Sequence, residues 1–338
     1  MKFCITGGGT GGHLSIADAL CSAAVQRGHE VIFIGSKSGQ DRMWFEQHSS
    51  FSHVYFLETS GVVNKKGLAK IKALYKVFMA VLRSRKILKQ HHVDAVISVG
   101  GFSAAPAAFA SVITGRPLFI HEQNAVVGRL NSILRSRARY FISAYEKDSP
   151  IQGYPVKELF FNSARIREKL QTIIFLGGSQ GAKAINDLAL HVSTLLKQKG
   201  IKIIHQCGER DYERVKDAYE QLGVEVELYS FTKDMASLVS RADLAVSRAG
   251  ASTLWELCAN GLPAFFVPFP YAAGDHQFYN ADFIVKEQMG WCERESDDLD
   301  KKLLAVLDEP LDDKSKKLIE HSHRDVADEM IKLFEKSI

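Results

Sequence analysis

Short apolar runs recur along the chain, each four or five residues long and set apart from the next by a segment long enough for a helix. In the first half they fall at residues 3–6, 31–34, 95–99 and 118–121. In the second half they fall at 172–176, 201–205, 224–228, 244–247 and 264–267. Runs of this kind, with helices between them, predict strands buried on both faces of a parallel sheet. Both series open alike. Residues 3–6 lead into Gly7-Gly8-Gly9-Thr10-Gly11-Gly12, and residues 172–176 lead into Gly177-Gly178-Ser179-Gln180-Gly181, each followed by a helical segment. The expected fold is α/β, with two tandem Rossmann-like doubly wound parallel-sheet domains. Ligands in such sheets sit at the carboxyl ends of the strands, so the expected site is a cleft between the two domains. A glycine and a proline at Gly153-Tyr154-Pro155 mark the linker, which puts the domains at 1–154 and 155–312. In the tail, Leu318, Val326, Met330 and Leu333 recur at helical spacing. Residues 313–338 therefore read as one amphipathic helix, expected to pack back on the N-terminal domain.

Composition narrows the class. The chain has 338 residues, 46% hydrophobic and 24% charged, which suits two globular domains and excludes disordered, collagenous and disulfide-scaffold chains. Lys and Arg number 43 against 39 Asp and Glu, a net charge of +4 that argues against nucleic acid as a partner. The cysteines Cys4, Cys21, Cys207, Cys258 and Cys292 form no CxxC pair, which reads as a reduced, cytosolic protein with no structural zinc. No signal peptide and no run of about 18 apolar residues is read, so no membrane span is expected.

The first glycine loop satisfies G-x-G-x-x-G through Gly7, Gly9 and Gly12. Glycines let backbone N–H groups approach a diphosphate, and the following helix N-terminus favours its charge. Thr10, Gly11 and Gly12 are therefore candidate substrate-binding residues. A nicotinamide site would need an acid at the end of the second strand, but that strand ends in Gly35-Ser36-Lys37. Lys37 and Arg42 suit a 2′-phosphate, so an NADP-dependent oxidoreductase stays open as an alternative. A non-catalytic sugar-nucleotide binding protein is another. His13 closes the loop, and an imidazole there suits proton transfer.

Further motifs occur in order: His121-Glu122-Gln123-Asn124, Gly177 to Ala182, Ser247-Arg248-Ala249-Gly250 running into Ala251-Ser252-Thr253-Leu254-Trp255-Glu256, then Gly261-Leu262-Pro263, and Asp275-His276-Gln277 with Asn280-Ala281. With the first glycine loop, this set resembles the MurG family of bacterial peptidoglycan glycosyltransferases, over residues 1 to about 290. The resemblance implies the GT-B arrangement and an inverting transfer of N-acetylglucosamine from UDP-GlcNAc. The acceptor is the 4-hydroxyl of undecaprenyl-diphospho-MurNAc-pentapeptide, lipid I, and the product is lipid II.

The resemblance also implies roles for residues. Ala251, Ser252, Thr253, Leu254 and Trp255 open a helix toward the diphosphate, and Glu256 holds the ribose hydroxyls; read alone, Glu256 also suits a first-turn helix acid. Gln277 and Asn280 read sugar hydroxyls, although Gln277 also suits a loop residue bonding its own backbone. Ser179 contacts phosphate, Asn124 the donor sugar, and Thr232 lies where backbone groups pair with uracil. Lys157 stands where the family usually has arginine, which loses the bidentate fork. A proline usual near His13 is absent, and His276-Gln277 replaces two glutamines found in some members. His13 and His121 are both candidate bases, with Glu122 placed to orient either. No metal and no cofactor is expected.

A lipid acceptor requires a membrane surface. From Lys65 to His91 the chain carries Lys65, Lys66, Lys70, Lys72, Lys76, Arg83, Arg85, Lys86 and Lys89 and no acid. Leu68, Ile71, Leu74, Tyr75, Phe78, Met79 and Leu82 recur there at spacings of three and four. This reads as a basic amphipathic helix for anionic lipid, or else as a core helix with a charged outer face. The expected location is the cytoplasmic face of the inner membrane, as a peripheral protein.

Overall fold

A computed structural model describes residues 1–59, 61, 66–178 and 181–338. The expectations for Ser179 and Lys65 lie outside the described residues. The chain divides into two compact units, Met1–Val156 with Asp325–Ile338, and Lys157–Arg324.

In the first unit, strands β1 (Lys2–Thr6), β2 (Glu30–Ser36), β3 (His53–Leu57), β4 (Ala95–Ser98), β5 (Leu118–Glu122) and β6 (Tyr140–Ser143) form a parallel sheet ordered β3-β2-β1-β4-β5-β6. In the second, β7 (Thr172–Leu176), β8 (Lys202–Gln206), β9 (Glu227–Tyr229), β10 (Leu244–Ser247), β11 (Ala264–Phe266) and β12 (Trp291–Cys292) are ordered β12-β11-β10-β7-β8-β9. Strands predicted from apolar runs are the central ones together with the edge strand β9, which the expected run at 224–228 overlaps only at 227–228. Side chains of the central strands are buried on both faces, as with Phe3, Ile5, Ile32, Ile34, Val96 and Ile97. The unpredicted strands β3, β6 and β12 lie at sheet edges, where a continuous apolar run is not required.

Each sheet has one place where neighbouring strands lead off in opposite directions, between β1 and β4 and between β7 and β10. The strand ends part there and leave a crevice at their carboxyl side. Both glycine loops follow the inner strand of such a pair.

The tail differs from the expectation of one helix. It forms two, Asp312–Glu320 and Val326–Glu335. The first is held in the second unit, where Leu318 is buried and Ser315 Oγ donates to the Gly261 carbonyl at 2.6 Å. The second buries Val326, Met330, Ile331 and Phe334 in the first unit, with Phe334 stacked on Phe119 at 4.1 Å. The apolar residues serve two different cores, so one continuous helix cannot bury them all. Arg27 adds ion pairs to Asp328 at 2.9 Å and Glu335 at 2.8 Å.

The basic segment forms a helix, α3, over Gly67–Gln90; α1 spans Gly11–Gln26 and α2 spans Asp41–Phe45. The face of α3 turned to the core carries Ala73, Ala80, Val81, Ser84, Ile87 and Leu88. The bulky apolar residues point away from it: Leu68 is 84% exposed, Ile71 64% and Phe78 58%. That rules out a core helix with only a charged outer face. Among the described residues no helix is long and apolar enough to cross a membrane.

Candidate functional site

The crevice of the first unit is built by two glycine-rich strand ends, after β1 and after β4. Gly7 lies so close to the β4 end that a Cβ on it would stand 2.6 Å from the Gly100 carbonyl, and Gly8 N–H donates to that carbonyl at 3.2 Å. His13 is the third residue of α1, so its ring projects from the first turn over the loop. Its Nδ1 lies 3.0 Å from Thr10 Oγ1. The Gln123 amide nitrogen lies 2.9 Å from Nε2 and 3.2 Å from Nδ1. A Cβ on Gly100 would touch the ring at 3.4 Å from Nε2, and the φ of +86° at that position is what calls for glycine. Thr10 is exposed, and Gly11, Gly12 and His13 are half-buried.

His121 is placed differently. It is fully buried at the end of β5, with its ring edge on Tyr154 at 5.5 Å. Neither ring nitrogen has a hydrogen-bond partner among the described residues. Burial, with the nearby His13, lowers its pKa to about 3. A ring this hard to protonate is a poor base at neutral pH. Glu122 orients neither histidine. Its carboxylate accepts from Asn124 N–H at 3.0 Å, Gly128 N–H at 2.9 Å and Asn131 Nδ2 at 2.9 Å. It therefore folds the 122–128 loop that carries Gln123 and Asn124. Gln123 was not singled out by sequence, since an amide inside a motif reads as filler; its neighbourhood to His13 emerges only when β5 is set beside β4.

In the second unit the loop after β7 opens into a cavity of about 600 Å³ lined by Gly177, Gly181, Arg248, Phe269, Tyr271 and Gln277 among others. Gly177 N–H is bonded to the Gln206 carbonyl at 2.8 Å, which ties the loop to β8. Arg248 leaves the end of β10, the other strand of the crevice. Its guanidinium donates to the carbonyls of Val267 at 3.0 Å and Pro268 at 3.2 Å and pairs with Glu295 at 2.6 Å. Lys183, also on the cavity wall, pairs with Asp187 at 2.8 Å. Two cations, each paired with an acid, thus flank the glycine loop on the cavity wall. The sequence shows Arg248 only as part of a motif; its place at the strand-order reversal is the signal that marks it.

The helix Ala251–Asn260 starts three residues past Arg248, with Gly250 as its N-cap. Ser252 Oγ donates to Glu256 Oε1 at 2.9 Å. Burial raises the Glu256 pKa, while this hydrogen bond and the charge of Lys157 act against the rise. Lys157 caps the Glu158–Asn162 helix, so the cation faces the carboxylate from a neighbouring element. Ser252 and Thr253 are half-buried at the helix opening. Leu254 and Trp255 are not: both side chains are core, and Leu254 N–H is bonded to the Gly250 carbonyl at 2.9 Å. Both side chains hold the helix down on the core. Asn280 is also buried, donating to the Ala249 carbonyl at 3.2 Å, so it supports the Arg248–Gly250 turn from behind. Gln277 uses its amide oxygen to accept from Phe269 N–H at 2.9 Å while lining the cavity. Thr232 Oγ1 accepts from Asp234 N–H at 3.0 Å, a local turn that fixes its loop. Among the described residues no group of three His, Cys, Asp or Glu is placed to hold a metal.

Residues 3–142 match the glycosyltransferase family 28 N-terminal domain, and residues 172–334 match the C-terminal domain of that family. A UDP-N-acetylglucosamine–N-acetylmuramyl-(pentapeptide) pyrophosphoryl-undecaprenol N-acetylglucosamine transferase of Sulfurimonas denitrificans is 65% identical over 98% of this chain and 97% of its own. The transferase of the same name from Wolinella succinogenes is 52% identical over 98% of each. The crystal structure of Acinetobacter baumannii MurG is similar with a TM-score of 0.79 and 27% identity, covering 99% of both chains.

Proposed function

The chain belongs to glycosyltransferase family 28, and from this we infer its function: it transfers N-acetylglucosamine from UDP-GlcNAc to lipid I, forming lipid II. The observation that carries the reading at the level of chemistry is the cavity at the β7/β10 crevice, where a glycine loop, Arg248 and Gln277 converge. We assign the donor diphosphate and sugar to this cavity. The ribose goes to Glu256, whose carboxylate suits two hydroxyl donors. Lys157 and the opening N–H groups of the Ala251–Asn260 helix offset charge on the leaving diphosphate.

The acceptor hydroxyl is assigned to the first unit. In the tautomer whose Nδ1–H donates to Thr10 Oγ1, His13 Nε2 is the accepting nitrogen, the form a general base needs, and the Gln123 amide that donates to it at 2.9 Å gives way to the acceptor hydroxyl. The 4-hydroxyl loses its proton to that nitrogen as its oxygen attacks the anomeric carbon and UDP departs from the opposite face. Asn124 stays assigned to the donor sugar and Thr232 to the uracil loop. The oxidoreductase alternative is not favoured, and the first loop offers a physical reason. Its Gly9 N–H is already bonded to the Asp41 carboxylate at 2.5 Å, an anion where a nicotinamide enzyme places its pyrophosphate.

Because the acceptor is a lipid, we assign the outward apolar stripe of α3 and its lysines and arginines to the anionic inner-membrane surface, on the cytoplasmic side. Single exposed apolar residues need no explanation, but seven on one basic helix face do. Thermal melts test the function: UDP-GlcNAc raises the melting temperature and NADPH does not. A rise with NADPH alone would overturn the reading.

A further inference from the structure

Asp41 is a buried carboxylate that the mechanism above does not use. It is the first residue of α2, and its side chain turns inward rather than to solvent. Oδ1 accepts from Gly9 N–H at 2.5 Å, and Oδ2 accepts from Ser36 N–H at 2.8 Å. One side chain therefore joins the glycine loop after β1 to the end of β2. Two glycines exist in register with it. A Cβ on Gly8 would stand 2.6 Å from Oδ1, and a Cβ on Gly35 would stand 2.8 Å from Oδ2. The loop is closed from its other side by Phe102, 2.5 Å from where a Cβ on Gly9 would lie. Burial raises the Asp41 pKa, and the two N–H bonds oppose that.

A carboxylate against a glycine-loop N–H is what a bound phosphate supplies in a nucleotide-binding loop. Here the chain supplies it. The loop runs directly into Thr10 and His13, so whatever fixes Gly8 and Gly9 fixes the first turn of α1. We propose that Asp41 is the positioning residue of the acceptor-side loop, an internal anion that holds residues 7–13 in the conformation that aims His13 at the acceptor hydroxyl. The proposal rests on the assignment of His13 made above. It acts on geometry alone: Asp41 touches no reacting atom.

The test is a double-mutant cycle in the full-length enzyme, with UDP-GlcNAc and a short-chain lipid I analogue. Asp41→Asn keeps the shape but turns one acceptor oxygen into a donor facing an N–H. Its kcat falls at least about tenfold, the order expected when a catalytic group is displaced by a fraction of an ångström. UDP-GlcNAc affinity, set chiefly by the second unit, stays within about twofold. In a His13→Ala background the same substitution costs less than about twofold, because its effect runs through the imidazole. Asp41→Gly regains kcat with added formate, saturably, while Asp41→Gly/His13→Ala does not. Rates are normalised to the fraction titrated by UDP-GlcNAc, and circular-dichroism melts check that the first unit is folded in each variant, so loss of folded protein does not mimic the effect. Wild-type kcat in Asp41→Asn beside an inactive His13→Ala overturns the proposal alone. Equal losses with and without His13 overturn it too, since they mark a merely structural role. Near-wild-type turnover in His13→Ala overturns the assignment of His13 and the proposal with it.

Discussion

The two glycine loops begin from the same local plan, and they end as different chemistry. Each follows the inner strand of a parallel sheet, sits where strand order reverses and leads into a 16-residue helix. In the first unit the loop is filled from within. Asp41 takes Gly9 N–H, Gly100 takes Gly8 N–H, and Phe102 packs on Gly9. In the second unit Gly177 N–H and Gly181 N–H go to the carbonyls of Gln206 and Gly178 rather than to a carboxylate, and a cavity with Arg248 and Lys183 on its wall opens beside them. The glycine pattern therefore specifies a tight turn and a close approach of backbone. Which group makes that approach is decided by residues far off in sequence.

The largest effect expected from this contrast is at His13. His13→Ala lowers kcat by about 10²- to 10⁴-fold, the usual contribution of a general base, while UDP-GlcNAc affinity stays constant. Steady-state kinetics with a donor-binding titration checks this, and a matching loss of donor affinity would break the division of labour. Next comes pH. His121 in the first unit and His205 in the second are both buried, and burial lowers each pKa to about 3. The unfolded chain takes up these protons first, so stability is full above about pH 6.5 and declines as pH falls toward 3. By pH 4.5 each histidine costs about 2 to 3 kcal/mol, readable as a urea midpoint shift that His205→Gln diminishes. His121 cannot supply a kinetic pKa near neutrality, so any such limb in the rate profile must vanish with His13→Ala and persist in His121→Gln.

Smaller effects sharpen the donor side. Glu256→Gln weakens UDP-GlcNAc binding by roughly 10- to 100-fold, the worth of one or two hydrogen bonds to a charged acceptor. A 2′-deoxy donor then loses little more in the variant, and a full further loss would show that Glu256 does not read that hydroxyl. Least is expected of the membrane face in a soluble assay. Phe78→Glu with Leu74→Glu abolishes flotation with anionic liposomes, yet leaves turnover of a short-chain acceptor within about twofold.

Much of this was legible before any coordinates. Central strands carry continuous apolar runs because both faces are covered, so β1, β2, β4, β5, β7, β8 and β10 read directly. Edge strand β12 leaves no such mark; β3 and β6 do carry short apolar runs, Val54-Tyr55-Phe56-Leu57 and Tyr140-Phe141-Ile142, and are missing from the expected strands all the same. The tail misled because helical spacing reports a periodic face, not which core receives it; Leu318 and Val326 share the period and serve different units. For α3, spacing showed two faces, but only the packing of Ala73, Ala80 and Val81 inward showed that the bulky residues face out. His13, Glu256 and Gln277 stand out as motif residues. Asp41, Gln123 and Arg248 do not, because what marks them is contacts made across strands rather than patterns along the chain. Leu254, Trp255 and Asn280 show that a motif residue can also serve the core beneath the site.

The account's central claim is that two like loops divide two substrates. Amide hydrogen exchange with and without UDP-GlcNAc tests it most directly. The account predicts slowed exchange at residues 181–184 and 250–256, with residues 7–13 unchanged by the donor alone. Protection at residues 7–13 by the donor, with none at 250–256, would contradict it.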